Sequence, residues 1–197
     1  MIKLWRMDPF YIVAKVKNYF YIRNNQDLPW LTKEANDFFV KNLNNDMVVL
    51  EFGSGRSTQF FANRVKQVCS REHNKEWFDI ITKQIANVVN INYEFYADLC
   101  EYADTSSIEN NTLDLVVVDG RNRVNCLLNS VPKLKSGGIL VLDNAERYLV
   151  YETTSPGKHV LNNRNPKWIE AEKILKEYFW RYDTTNGVFD TLIFFKR

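Results

Sequence analysis

The chain reads MVVLEFGSG from Met47 to Gly55, a short apolar run that ends on two glycines. A continuous run of this length with β-branched residues is typical of a strand that is buried on both faces of a parallel sheet. Ser57 opens an amphipathic segment that extends to about Val65, so the stretch predicts a strand, a tight turn and a helix. Glycine at such a turn permits positive φ and a close approach of the backbone to a ligand.

The alternation of apolar strands and amphipathic helices continues along the chain. Further strands are predicted over residues 65–70, 91–96, 113–119 and 139–143, with helices over 32–43, 57–65, 74–89, 122–134 and 168–179. Thr32 is expected to cap the first of these helices, and residues 145–166 are expected to form a loop over the site. This order predicts a Rossmann-like, mostly parallel seven-stranded sheet with helices on both faces. The last two strands, 180–183 and 188–196, flank Asn186-Gly187 and are expected to form a C-terminal antiparallel hairpin.

The composition is that of an ordinary globular protein with 197 residues, 45% hydrophobic residues and 25% charged residues. We expect an N-terminal helical segment, residues 1–45, packed on a core domain of residues 46–197. The aromatic run 10–22 carries two lysines, which leaves membrane-surface or partner binding as an alternative. The net charge is only +2 and the basic residues are scattered, so nucleic acid is expected to be an unlikely partner.

Cysteine usage and hydropathy indicate the compartment. Three cysteines without a CxxC spacing argue against a disulfide framework and against a zinc site. The sequence shows neither a secretory signal nor an apolar stretch of about 20 residues, the length that a membrane helix needs. A cytoplasmic protein is therefore expected, and its oligomeric state stays open.

Acidic residues close five successive strands of the predicted sheet: Glu51, Glu72, Asp98, Asp119 and Asp143. Ligands of such sheets bind beyond the carboxyl ends of the strands, so these side chains predict the position of the site. A carboxylate beside the glycines would repel a pyrophosphate but can pair with an ammonium group. A carboxylate at the end of the second strand can accept hydrogen bonds from both hydroxyls of a ribose.

Several motifs together resemble one bacterial group within the class I S-adenosylmethionine-dependent methyltransferases. The resemblance covers nearly the whole chain from Trp30 onward. It rests on Trp30-Leu31-Thr32, Glu51 to Thr58, Glu72-His73, Asp119-Gly120-Arg121, Gly137 to Asn144 and Asp190-Thr191. These motifs are specific for the cofactor and say little about the acceptor.

The resemblance implies roles for the residues at the strand ends. The segment Glu51, Gly53, Ser54 and Gly55 would hold the methionine end and backbone of S-adenosylmethionine, and Asp119 would also border the cofactor. Glu72 would hold the ribose. Asp98 would lie near the adenine, with a helix cap as its alternative role.

Two strand-end carboxylates and an amide predict a possible metal site. Asp119, Asp143 and Asn144 offer the hard oxygen ligands that suit Mg²⁺ or Ca²⁺. Metal-dependent O-methyltransferases take ligands from the same two strand ends, but the catechol type has a lysine where this chain has Asn122. In the alternative, Arg121 and Arg123 pair with Asp119 or Asp143, or bind an anionic substrate. Asp119 and Asp143 are the predicted catalytic residues, with Asp119 as base or ligand.

The expected activity is methyl transfer to an oxygen atom of a small hydroxylated or sugar-like acceptor. Oxygen follows by elimination, because the fourth strand lacks the Asn/Asp-Pro-Pro-aromatic motif of amino-directed enzymes and no cysteine is placed as a nucleophile. An NAD-type oxidoreductase is the enzymatic alternative, although Thr58 stands where its third small residue would be. A non-catalytic module that binds the cofactor is the other alternative.

Overall fold

The computed structural model describes residues 8–156 and 165–197. The helices are α1 Pro9–Asn24, α2 Lys33–Asn42, α3 Arg56–Ala62, α4 Lys75–Gln84, α5 Leu99–Ala103, α6 Arg123–Ser130 and α7 Lys167–Tyr178. The strands are β1 Val48–Phe52, β2 Gln67–Glu72, β3 Ile91–Phe95, β4 Leu113–Val118, β5 Leu134–Asp143, β6 Phe179–Thr185 and β7 Asp190–Lys196.

The seven strands form one sheet in the order β3-β2-β1-β4-β5-β7-β6. The five strands β1 to β5 are parallel to one another, and β7 runs antiparallel to both of its neighbours, β5 and β6. This arrangement confirms the predicted Rossmann-like sheet with its C-terminal antiparallel hairpin. The carboxyl ends of β1, β2 and β4 therefore meet at one edge of the sheet.

Alternating strand residues contribute to two hydrophobic clusters, one on each face of the sheet. Val49, Leu115 and Val141 belong to the cluster that includes residues of α2 and α3, where Phe39 and Phe61 pack edge to face at 5.4 Å. The neighbouring residues Leu50, Val116 and Leu140 belong to the cluster that includes residues of α5, α6 and α7. Helices on both faces are thus confirmed.

The element bounds differ from the sequence prediction at a few positions. β2 ends at Glu72 and so lies two residues later than predicted, while α4 ends at Gln84, five residues early. The short helix α5 was not predicted. β5 begins at Leu134 and passes through Gly137-Gly138, whereas the glycine pair was expected to precede the strand.

The predicted N-terminal segment contains α1 and α2. α2 begins after Thr32, whose hydroxyl accepts a hydrogen bond from the backbone N–H of Ala35, as the sequence predicts. α1 has no buried residue and contacts the body through side chains, with Asn36 Nδ2 donating to Tyr21 Oη over 3.2 Å and Asn186 Nδ2 donating to Asn18 over 3.1 Å. The division between residues 1–45 and 46–197 stays a prediction.

Within the described ranges, no helix has both the length and the apolar character needed to cross a membrane. The segment 145–166, predicted as a loop over the site, begins with a short 3₁₀ turn at Ala145–Arg147. Three hydroxyls of this segment, those of Tyr151, Thr153 and Ser155, donate to the buried carboxylate of Asp190 at the start of β7. The segment is therefore tied to the sheet as far as residue 155, and residues 157–164 lie outside the described part.

Candidate active site

The Gly-rich turn after β1 packs directly against the end of β4. Gly53 has φ of +95°, and a β-carbon there would lie 2.8 Å from the backbone N and Cα of Gly120. Only glycine fits this position, because both its conformation and its contact with another backbone exclude a side chain. Gly55 is extended, with φ of 171°, and a β-carbon there would meet no atom within 4 Å. Position 55 therefore borders open space.

Glu51 is fully buried below this turn. Its Oε2 accepts hydrogen bonds of 2.6 Å from both Thr58 Oγ1 and Ser70 Oγ. Burial raises the pKa of Glu51 to about 7, against the opposing effect of nearby hydroxyl groups. Its other oxygen, Oε1, is buried without a hydrogen-bond partner among the described residues. A buried carboxylate oxygen in this state is costly to the fold, and a ligand cation would satisfy it.

Arg56, the first residue of α3, lies at the other end of the turn. Its guanidinium carbon is 5.1 Å from the ring centre of Trp30, which fits a cation–π contact. Its Nη1 atom is buried and has no hydrogen-bond partner in the part of the chain that the structure covers. The turn is thus flanked by two buried polar atoms, one on an acid and one on a base, that have no hydrogen-bond partner within residues 8–156 and 165–197.

Glu72 links the turn to the loop after β2. Its Oε2 accepts from the backbone N and the hydroxyl of Ser54 at 3.1 and 3.0 Å, and its Oε1 accepts from the backbone N–H groups of His73 and Asn74 at 2.9 and 2.8 Å. These four bonds use the roughly four acceptor positions of a carboxylate. The hydroxyl of Ser54 also lies 2.7 Å from Tyr93 Oη, which gives it a second partner.

The indole of Trp77, a residue of α4, contacts the Gly-rich turn. Its Nε1 donates to the carbonyl oxygen of Ser54 over 2.8 Å. Two cavities of about 590 and 390 Å³ share Ser54, Trp77 and Asp119 in their walls. The larger one is lined by residues that follow β1, β2, β4 and β5: Gly53, Ser54, Glu72, His73, Asn74, Trp77, Asp119, Gly120, Arg121, Asn122, Arg123, Arg147 and Tyr148.

Arg123 fastens the ends of β4 and β5 together. Its Nη2 donates to Asp119 twice, to Oδ1 over 3.0 Å and to the carbonyl oxygen over 2.6 Å. Its Nε donates to the carbonyl oxygen of Gly120 over 2.9 Å, and its Nη1 donates to the carbonyl oxygen of Asp143. The guanidinium also lies 5.4 Å from the ring centre of Tyr148. The alternative pairing of an arginine with these aspartates is therefore present for Arg123 and Asp119.

The two predicted catalytic carboxyls are close and influence each other. Burial raises the pKa of Asp119, and Arg123 opposes this effect. Burial and the nearby charge of Asp119 raise the pKa of Asp143 well above its usual range. Asp143 Oδ1 accepts a 2.6 Å hydrogen bond from Thr191 Oγ1, so Asp143 faces the antiparallel strand β7.

The predicted metal site does not fit this arrangement. The positive charge between Asp119 and the end of β5 is supplied by Arg123, and Asp143 is engaged by Thr191. Asn144 has a left-handed backbone conformation, with φ of 50°, at the start of the 3₁₀ turn. Over residues 8–156 and 165–197, no group of three or more His, Cys, Asp or Glu side chains is placed to hold a metal ion. The expectation of Mg²⁺ or Ca²⁺ is not supported.

Asp98 serves as the N-cap of α5 and is not among the residues that line the large cavity. Its Oδ1 accepts from the backbone N–H groups of Cys100 and Glu101 at 2.7 and 3.0 Å. This is the alternative role that the sequence leaves open, and the predicted contact with adenine stays a prediction. The structure brings together the other strand-end residues, and it adds to them Arg56, Trp77 and Gly120, which the sequence prediction did not include as site residues.

Several solved structures are similar to this chain. A candidate rRNA methylase from Clostridium thermocellum superposes with a TM-score of 0.59 at 14% identity, over 83% of this chain and 93% of that one. A candidate methyltransferase from Streptococcus mutans, solved in complex with S-adenosylhomocysteine, has a TM-score of 0.55 at 12% identity over 84% and 97%. The chain has the fold of the class I methyltransferases. No family model and no curated protein matches this sequence.

A tRNA methyltransferase from Aquifex aeolicus shares the methyltransferase fold, with a TM-score of 0.54 at 16% identity over 81% of this chain and 67% of that one. Enzymes named for rRNA and tRNA thus stand among the similar structures. The expectation that nucleic acid is an unlikely partner and that the acceptor is a small molecule is therefore corrected. A low net charge averages over the whole surface and does not describe the charge near one cavity.

Proposed function

We propose that this protein is an S-adenosylmethionine-dependent methyltransferase. The observation that carries the proposal is a pair of buried atoms at the two ends of the Gly-rich turn, Oε1 of Glu51 and Nη1 of Arg56, which have no hydrogen-bond partner among the described residues. The amino-acid end of S-adenosylmethionine carries an ammonium and a carboxylate, which are the complements of these two groups. Neither a dinucleotide pyrophosphate nor an uncharged ligand would satisfy both.

The adenosine half fits the larger cavity, beside Glu72. All four acceptor positions of Glu72 are in use, so ribose hydroxyls must replace existing donors. The hydroxyl of Ser54 is the donor that can leave, because Tyr93 Oη offers it another hydrogen bond at 2.7 Å. Glu72 thereby gains room for the ribose without leaving Ser54 unpaired.

The sulfonium of the cofactor supplies the electrophilic methyl group, so the protein has to align an acceptor and take up its proton. Asp119 borders both cavities, and burial brings its pKa closer to neutrality than that of an exposed aspartate. A hydroxyl oxygen of the acceptor can therefore pass its proton to Asp119 as the methyl is transferred. Arg123 holds the Asp119 carboxylate in place through the 3.0 Å hydrogen bond.

For the acceptor we propose RNA, methylated at a hydroxyl oxygen. Two arginines, the exposed Arg121 and Arg147, line the large cavity, and Tyr148 lies beside them. Guanidinium groups pair with phosphates, and an aromatic ring can stack on a base. The names of the rRNA and tRNA methyltransferases with the same fold make RNA the first acceptor to examine.

Calorimetric titration with two ligands tests the cofactor site. S-adenosylhomocysteine carries the ammonium and carboxylate, whereas 5′-methylthioadenosine lacks both. Arg56→Met and Glu51→Gln should each weaken binding of S-adenosylhomocysteine by about 10-fold or more, the effect of losing a charge-assisted hydrogen bond, and should leave methylthioadenosine unaffected. Arg181→Met, at an exposed ion pair with Asp183, is the matched control. Equal losses for the two ligands would refute the assignment, and binding of NAD alone would refute the function.

Transfer of labelled methyl groups to total RNA tests the acceptor. The label should be lost after nuclease digestion, and alkaline hydrolysis should leave it in a dinucleotide, because a methylated 2′-hydroxyl blocks cleavage. Arg121→Gln with Arg147→Gln should lower the transfer at least 10-fold while leaving binding of S-adenosylhomocysteine unchanged. Cofactor binding without transfer to RNA would reject RNA and leave the cofactor assignment standing.

A further inference from the structure

The helix α1 carries an exposed apolar stripe on the side that faces away from the body of the protein. The exposed residues Ile12, Val13, Val16, Tyr19 and Phe20 recur at the three- and four-residue spacing of one helix face. Each of them is between 48% and 56% exposed, and Phe10 near the helix start is 86% exposed. A contiguous stripe of this size is unusual on a protein surface that contacts only water.

The opposite side of α1 makes the contacts with the body. Asn18 and Tyr21 take part in hydrogen bonds to the β6–β7 turn and to α2. A β-carbon at Gly187 would lie 3.0 Å from that of Ala14, so the helix backbone passes close to the same turn. The orientation of α1 is therefore fixed by its inner side, and its apolar stripe is held outward.

The charges on α1 are all positive. Lys15, Lys17 and Arg23 are exposed, and no acidic residue occurs between Pro9 and Asn24. At about 100° of rotation per residue, Lys15 and Lys17 fall on opposite flanks of the apolar stripe. Two copies of this helix packed stripe to stripe would bring like charges together, whereas an anionic surface would attract both flanks.

We propose that α1 binds the surface of an anionic lipid bilayer. The apolar stripe would enter the boundary between headgroups and acyl chains, with aromatic rings at the depth that Tyr and Phe occupy in interfacial helices. The two flanking lysines would pair with lipid phosphates, since a lysine near an anionic membrane is attracted to its negative surface potential. Each contribution is modest, so the binding is reversible and depends on both apolar contact and charge.

Sedimentation of the full-length chain with vesicles tests this proposal. Vesicles of phosphatidylglycerol and phosphatidylcholine should bind the protein at least 10-fold better than vesicles of phosphatidylcholine alone, and 0.5 M salt should weaken the binding, because the Debye length falls to a few ångströms. The double variant Val16→Gln/Phe20→Gln should lose the binding. So should Lys15→Gln/Lys17→Gln, with a smaller loss.

Val40→Gln is the matched control, because Val40 on α2 is an equally exposed apolar residue, at 55%. All variants should keep the circular dichroism spectrum of the wild type, since none of these side chains is buried. Absence of vesicle binding by the wild type would overturn the proposal. A dimer in light scattering that Val16→Gln/Phe20→Gln dissociates, without vesicle binding, would also overturn it and assign the stripe to a second copy.

Discussion

A β-carbon added to Gly120 would lie 1.9 Å from the hydroxyl oxygen of Tyr102 and 3.0 Å from the backbone N of Gly53. The contact joins α5, β1 and the end of β4 beneath the large cavity. The Tyr102 hydroxyl is buried without a hydrogen-bond partner among the residues that the structure describes. The packing of these three elements therefore leaves no room for a side chain at position 120. It also buries the Tyr102 hydroxyl without a hydrogen-bond partner among the described residues.

This relationship predicts opposite effects for two substitutions. Gly120→Ala should lower the free energy of unfolding by about 3 kcal/mol or more, because the clash is with both a side chain and a backbone. Tyr102→Phe should be neutral or stabilising by up to about 1 kcal/mol, because it removes a buried hydroxyl that lacks a partner. Urea denaturation monitored by circular dichroism measures both.

Combining the two substitutions isolates the contact. Gly120→Ala/Tyr102→Phe should recover part of the stability lost in Gly120→Ala, since one of the clashing atoms is gone. Tyr151→Phe is the comparison for Tyr102→Phe. The Tyr151 hydroxyl donates to Asp190 over 2.6 Å, so its removal should lower the free energy of unfolding. Strictly additive effects at positions 120 and 102 would contradict the steric account.

The raised pKa of Glu51 predicts a pH-dependent stability. The folded protein holds a proton on Glu51 up to about pH 7, while the unfolded chain releases it near pH 4.5. The contribution of Glu51 is thus fully present below pH 4.5 and is lost as the pH rises through 7, with a total of about 3 kcal/mol. The difference in unfolding free energy between the wild type and Glu51→Gln, measured from pH 4.5 to 8, should fall by this amount. A difference that is constant over this range would contradict the prediction.

The same carboxyl predicts how cofactor affinity depends on pH. An ammonium group pairs with ionised Glu51, so S-adenosylhomocysteine should bind more tightly as the pH rises from 6 to 7.5 and should raise the fraction of ionised Glu51. The increase should be several-fold in the wild type and absent in Glu51→Gln. Calorimetry in buffers of different ionisation enthalpy should detect the proton released on binding to the wild type. Uptake of a proton on binding would contradict the proposed pairing of the ligand ammonium with ionised Glu51.

The contacts of Arg123 predict that lysine at this position gives a less stable protein. Arg123→Lys should lower the free energy of unfolding by about 2 kcal/mol, because one ammonium cannot bridge the carbonyl oxygens of Gly120 and Asp143 and the carboxylate of Asp119 together. Arg121→Lys, at an exposed position, should change it by less than about 0.5 kcal/mol. Thermal denaturation of the two variants provides the measurement, and equal stabilities would show that Arg123 is not the fastening residue.

Asp98 combines a demonstrated cap with a predicted adenine contact, and two substitutions separate them. Asp98→Ala should lower stability by about 1 kcal/mol through loss of the cap, while Asp98→Asn should retain it. Because Oδ1 accepts both capping hydrogen bonds, Oδ2 remains for a ligand. We therefore expect Asp98→Asn to weaken the binding of S-adenosylhomocysteine several-fold. Unchanged affinity in a stable Asp98→Asn protein would leave Asp98 with the capping role alone.

The fold could be predicted from sequence because its signals are local. Thr32 caps α2 as expected, and the apolar strands lie where their β-branched runs occur. The sequence did not predict the helix α5, because five residues are too few to show the apolar periodicity of a helix. Its stability depends on the burial of Tyr102. β5 starts early because Leu134 pairs with Leu113, a contact that no local pattern encodes.

The candidate site was only partly predictable for the same reason. The acidic strand ends are visible in the sequence, but two of them have hydrogen-bond partners that are distant along the chain. Glu72 Oε2 accepts from Ser54, which lies 18 residues earlier, and Asp143 accepts from Thr191, 48 residues later. The Nη1 atom of Arg56 has no hydrogen-bond partner among the described residues, and only the three-dimensional structure could show this.

The position of β7 has a consequence for how the chain is made. β7 follows β6 along the chain but lies between β5 and β6 in the sheet. On a ribosome, β6 therefore emerges before it has any strand to pair with, and β5 keeps a bare edge until β7 has been synthesised. That edge includes Ile139, Leu140 and Val141, an apolar segment of the kind that associates with other chains. We therefore expect the nascent protein to be prone to aggregation in the interval between synthesis of β5 and of β7.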